Sequence, residues 1–111
     1  MIIAKEILGR IAEKKRTLDS LRPFPKAALA RLKKNFIIES TYNSNSIGGN
    51  TLTKSETKLV LEEGITIGGK SMREHFEAVN HKEAIACVES LAAEKKPITK
   101  EILCRLNSII L

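Results

Sequence analysis

Tryptophan is absent from this chain of 111 residues, and only four aromatic side chains are present: Phe24, Phe36, Tyr42 and Phe76. A core built from this composition must be mainly Leu, Ile, Val and Ala. Cysteine is nearly absent too, and Cys87 and Cys104 stand too far apart to form a disulfide framework, so free buried thiols are the expectation. No apolar run approaches the length of a membrane span, and the opening MIIAKEILGR lacks the uninterrupted apolar stretch of a signal peptide. These absences point to a soluble, cytoplasmic chain with no membrane partner. With 42% apolar residues it can bury one modest core, and nothing in it indicates a second.

Charge is present but uneven. Residues 1–34 hold ten Lys/Arg against three Asp/Glu, a local +7, whereas residues 35–111 hold nine against ten. A basic helical face of this kind can meet nucleic acid or an acidic partner. No aromatic stacking residues or groove-reading motif accompany it, so a solvated helix face is the preferred reading over nucleic-acid binding.

Helical signals run through the sequence, and no repeat or low-complexity tract interrupts them. Ile3, Ile7, Ile11 and Leu18 form the stripe of a first helix ending near Leu21, ahead of the turn RPFP. Pro25 is placed to start a second helix through Ala28, Leu29, Leu32, Phe36 and Tyr42, blurred by NSNS and stopped by Gly48-Gly49-Asn50. Thr53 and Glu56 form a capping box for a third helix, which Gly64 ends. Ser71 and Glu74 form another box, opening a long helix from about 72 to 94 with Ala84, Val88 and Leu91 on its buried side. Pro97 breaks the chain, and a last helix follows Thr99 with Ile102, Leu106, Ile109 and Ile110. The final NSIIL carries no capping signal. The apolar faces therefore call for either further C-terminal chain or a partner to cover them.

GITIGGKS, residues 64–71, fits the phosphate-loop pattern G-x-x-x-x-G-K-[ST]. A phosphate loop needs a buried strand before it, and a helix stands there instead, with no following strand to hold magnesium. The match is one of letters. Ile65, Thr66 and Ile67 favour extended backbone and Gly68-Gly69 favours a hairpin turn, so a very short β-ribbon between two helices is expected. A plain interhelical connection accounts for these residues equally well.

Catalytic constellations are scarce. His75 and His81 are six residues apart, which does not stack them on one helix face, and neither cysteine adds a zinc spacing. Glu74, Glu77 and Glu83 read as an exposed face, and no Ser-His-Asp set can be nominated.

Three pieces carry a family resemblance: SNSIGGNTLT, the helix ETKLVLEEG leading into TIGGK, and the helix start REHFEAVNHKEA. They fall within the stretch from Tyr42 to Ala84, about two fifths of the chain. They resemble the N-terminal half of Fic domain proteins, which transfer AMP from ATP to protein hydroxyl groups. The resemblance implies an all-α, Fic-like fold with one short β-hairpin flap. Residues 1–52 would be N-terminal helices including an inhibitory-type helix, and residues 53–111 the start of the Fic core, in one structural unit that is truncated at its C-terminus.

In that family a histidine in the motif H-x-F-x-[DE]-G-N-G-R-x-x-R acts as base on the target hydroxyl, while the loop and helix start of the motif hold the phosphates and its acidic residue holds magnesium. None of that motif occurs in these residues, so the resemblance assigns no catalytic or metal-binding residue and no cofactor to this chain; ATP and Mg²⁺ belong to a complete family enzyme. Two other features carry over. Ile65, Thr66, Ile67, Gly68, Gly69 and Lys70 match the flap, which aligns a protein target by main-chain pairing. The inhibitory pattern [ST]-x-x-x-E-[GN] falls on Ser44 to Gly49, with Asn50 following, and Gly48 stands where the family has its inhibitory glutamate. That carboxylate pairs with an arginine of the catalytic motif and occupies space needed by the ATP γ-phosphate, so Gly48 implies relief of autoinhibition.

The resulting expectation is a regulatory and target-guiding N-terminal part of a protein adenylyltransferase, inactive alone. Its partners would be a protein target at the flap and a missing or separate catalytic segment, with a homo-oligomer left open. The alternative is a non-enzymatic helical module that docks on a separate Fic catalytic chain.

Overall fold

The computed structural model describes residues 3–111. Five helices follow one another: α1 Lys5–Ser20, α2 Lys26–Ile47, α3 Lys54–Glu63, α4 Met72–Ala93 and α5 Lys100–Ile110. Among the described residues there is no strand. The fold class is therefore all-α, and the expected β-ribbon at 65–70 is corrected to a single turn, in which the Lys70 amide donates to the Ile67 carbonyl at 3.3 Å. The physical reason is that a two-stranded ribbon is marginal in water. Here the Ile67 amide that could have paired across it is taken by the ring of His75 at 2.9 Å.

Local chemistry sets the helix ends. Both capping boxes form: the Thr53 hydroxyl accepts from the Glu56 amide at 3.1 Å while Glu56 accepts from the Thr53 amide at 2.8 Å. Ser71 and Glu74 repeat the exchange at 3.2 and 3.1 Å. Gly64 closes α3 in the left-handed region, with φ +64°. The end of α2 is a Schellman motif: the Gly49 amide donates to Ser46 at 3.1 Å and the Asn50 amide to Asn45 at 2.9 Å, with Gly49 at φ +99°. Thr99 caps α5 through its hydroxyl, which accepts from the Ile102 amide at 3.2 Å.

The described chain divides into two units, residues up to Leu32 and residues 33–111. In the first, α1 buries none of its residues, and Ile7, Ile11 and Leu18 are all about half exposed. Helix α1 is thus an amphipathic helix whose apolar stripe stands open. In the second, Leu52, Val60 and Ala78 form the core, with Leu61 and Ile67 packed against it, and α4 packs on both α3 and α5. The core is aliphatic, as the shortage of aromatics requires. Phe36 and Phe76 are exposed, and so is Val88, which was expected on the buried side of α4; Ala84 is buried and Leu91 half-buried. Cys104 is also exposed and Cys87 half-buried, which corrects the expectation of two buried thiols.

Candidate functional site

The residues singled out in the sequence lie in the second unit, at the end of α2 and in the connection between α3 and α4. Ser44 is exposed on the last turn and a half of α2. Gly48 follows the helix as its C-cap, and Gly49 is the left-handed residue of the motif. Gly49 needs to be glycine because its φ of +99° strains any L side chain. Gly48 does not. Its φ is not positive, and a Cβ there would lie 3.5 Å from the Asn45 carbonyl oxygen and 3.9 Å from that of Ser44, ordinary van der Waals distances. Backbone geometry accordingly leaves the identity of residue 48 open.

Asn50 is buried and joins this turn to the start of α4. Its Oδ1 accepts from the Leu52 amide at 2.9 Å, and its Nδ2 donates to the Glu74 carbonyl at 3.1 Å and toward Glu77 Oε1 at 3.5 Å. The next residue continues the tie. Glu74 Oε2 accepts from the Thr51 amide at 2.6 Å and the Thr51 hydroxyl at 2.5 Å, while Oε1 accepts from the Ser71 amide and hydroxyl, both at 3.1 Å. Four donors on one carboxylate stabilise its charged form, and they hold the Glu74 carboxyl down to about 2, with the Thr51 hydroxyl the largest contributor. Glu74 and Glu77 are both half-buried, so the expectation that they simply form an exposed face is corrected. No sequence pattern pointed to these partners, since they lie 23 to 27 residues away.

The 64–70 connection is anchored at both ends of its turn. Lys70 Nζ donates to the Thr51 carbonyl at 2.8 Å and the Thr51 hydroxyl at 3.2 Å. Its lysine is spent on a backbone tie. At the other end His75, buried, accepts from the Ile67 amide through Nε2, and its Nδ1 lies 2.7 Å from the Ser71 carbonyl. Ile65, Thr66, Gly68 and Gly69 are exposed, and Ile67 is half-buried against the core. The turn and the connection thus share one support, the Thr51–Glu74–Lys70 cluster.

His81 stands apart from His75. Its Nδ1 lies 2.9 Å from the hydroxyl of the fully buried Thr41 on α2, and burial lowers its pKa. Beside it runs an open groove lined by Asn45, Arg73, Phe76, Asn80, His81 and Ile110. Among the described residues no group of three or more His, Cys, Asp or Glu is arranged to hold a metal ion. Among them, too, no helix is long and apolar enough to cross a membrane.

No family model matches the chain. Individual proteins do. A protein adenylyltransferase Fic from Nematostella vectensis is 35% identical over 91 residues, covering 82% of this chain and 21% of the relative. The Drosophila grimshawi protein of the same name is 32% identical over 104 residues, covering 94% of this chain and 21% of its own length. The crystal structure of a Fic domain containing signaling protein from Bacteroides thetaiotaomicron superposes with a TM-score of 0.86 at 34% identity, over 91% of this chain and 38% of that one. The chain spans about a fifth of the length of the curated relatives it matches. Sequence likeness across nearly the whole chain, joined to the same helical fold, gives the conclusion that this chain belongs to the Fic family.

Proposed function

We propose that these residues are the regulatory and target-guiding part of a Fic-type protein adenylyltransferase, which transfers AMP from ATP to protein hydroxyl groups. The catalytic histidine, the phosphate-holding loop and the Mg²⁺ ligand would come from a catalytic segment outside these residues, whether of the same protein or of another chain, acting with ATP and Mg²⁺. The observation that carries the reading is the common support under two exposed features. The Ser44–Asn50 turn is tied to Glu74 through Asn50, the 64–70 connection to Thr51 through Lys70, and Thr51 and Glu74 are bonded to each other. One feature can then face the nucleotide side of a complete site while the other guides the protein segment to be modified.

Gly48 is the regulatory position. Since the backbone accepts a side chain there, glycine at this place is a chemical choice, and it removes the charge and bulk by which an inhibitory glutamate acts. The second reading, a helical module that docks on a separate catalytic chain, draws on the exposed apolar side chains Phe36, Val88, Leu103 and Ile110. Both readings require a catalytic segment. The test is to incubate the chain with labelled ATP, Mg²⁺ and candidate proteins, alone and after adding such a segment. Label transfer only in the second mixture supports the proposal; transfer by the chain alone refutes the division of labour.

A further inference from the structure

His75 is buried at the start of α4 and has two backbone partners that constrain it completely. The Ser71 carbonyl can only accept, so the proton sits on Nδ1; the Ile67 amide can only donate, so Nε2 carries the lone pair. One neutral imidazole therefore links the connecting loop to the first turn of α4. Losing the Nε2 bond would leave the Ile67 amide without its partner, whereas the Ser71 carbonyl also accepts from the His75 amide at 3.4 Å.

The bond matters for what it commits. With its amide given to His75 and its carbonyl accepting from Lys70, Ile67 has both peptide groups occupied, and its side chain lies against Leu52, Val60 and Ala78. Thr66, next to it, is exposed, and among the described residues its peptide N–H and C=O have no hydrogen-bond partner. Among the described residues the peptide groups of Ile65, Gly68 and Gly69 also have no partner, so Ile67 is the one committed residue of the 65–69 stretch. We propose that His75 is a positioning residue for the protein substrate: by holding Ile67 inward it fixes which neighbouring peptide groups, those of Thr66 among them, are offered to an incoming main chain. This inference rests on the reading of 64–70 as a target-guiding loop. It adds that the register of the target is set by one buried imidazole, through residue 67, with side-chain identity in the target left free.

Nuclear magnetic resonance of the ¹⁵N-labelled chain tests the link directly. An N–H···N hydrogen bond transmits a scalar coupling between the Ile67 amide nitrogen and His75 Nε2, and the ring shifts should show protonation at Nδ1; a protonated Nε2 without coupling overturns the proposal. Activity of the full protein together with its catalytic segment tests the consequence. His75→Leu should raise KM for the target protein about three- to tenfold, the range of one lost hydrogen bond, with KM for ATP unchanged. His75→Gln, whose Oε1 can accept from Ile67, should recover most of that loss. Equal KM increases in both variants with equal loss of melting temperature would mean a merely structural histidine and would overturn the proposal. Thr66→Pro, which deletes the N–H itself, separates the two levels of inference. If it leaves target KM unchanged, the target-guiding reading fails and the proposal with it. If it raises KM while His75→Leu does not, only the role of His75 fails.

Discussion

Asn50→Ala is the perturbation that loads the structure most directly. Leu52 is 3% exposed, and its amide has the Asn50 Oδ1 as partner at 2.9 Å. Alanine leaves that N–H buried and unsatisfied, which costs about 1–3 kcal/mol. The bond to the Glu74 carbonyl contributes about 0.5–1.5 kcal/mol more, since that oxygen belongs to a helix and is not orphaned by the change. The contact toward Glu77, at 3.5 Å, is too long to add much. The sum is about 2–4 kcal/mol, a large share of the roughly 5–15 kcal/mol that stabilises a domain of this size. Urea unfolding followed by circular dichroism should show a lower midpoint with an unchanged slope. Asn50→Asp keeps the acceptor for Leu52 but places a third carboxylate beside those of Glu74 and Glu77, so its loss should shrink with added salt while that of Asn50→Ala should not. An Asn50→Ala variant within about 0.5 kcal/mol of the parent would refute the idea that this side chain fastens the α2 turn to α4.

Three further outcomes follow from the same geometry. Gly49→Ala should destabilise by about 1 kcal/mol or more because φ is +99°, whereas Gly48→Ala should be neutral or stabilising by up to about 1 kcal/mol; a thermal melt of the pair distinguishes them. Ser71→Ala removes an N-cap and should cost about 1 kcal/mol by denaturant titration, with the loss of helical signal concentrated in α4. Glu74 is depressed from its usual 4.5 to about 2, so the stability it contributes is fully present above pH 4.5 and disappears as pH falls toward 2. Glu74→Gln should lower the melting temperature at neutral pH and flatten its decline over that window, and an unaltered acid limb would contradict the assignment.

Much of the fold was legible because helix ends are written locally. The capping boxes at Thr53 and Ser71 and the stop at Gly64 each involve residues within one turn of each other, and the helices begin and end beside them, while Pro97 falls within the break between α4 and α5. The ribbon at 65–70 was misread for the opposite reason. Ile65, Thr66 and Ile67 have β-favouring side chains, but whether they pair depends on a histidine eight residues on, whose ring reaches back to Ile67. Glu74 shows the same limit. Its capping role was visible, while its second oxygen, bound to Thr51, was not, because helical periodicity relates neighbours three or four apart and says nothing about a loop 23 residues earlier. Asn50 looked like part of a helix stop, and it is one, but its burial and its reach to α4 come from the tertiary fold. The phosphate-loop letters were correctly set aside, since helix α3 precedes them and Lys70 is bound to Thr51.

Residue 48 is where the proposed inhibitory-type turn, lacking its glutamate, can be tested most directly. Gly48→Glu should fold like the parent, because a Cβ there would meet only ordinary contacts and residue 48 is exposed. In the protein joined to its catalytic segment, the account predicts that Gly48→Glu suppresses labelled AMP transfer while Gly48→Ala leaves it intact. Unchanged transfer by a folded Gly48→Glu protein would contradict it.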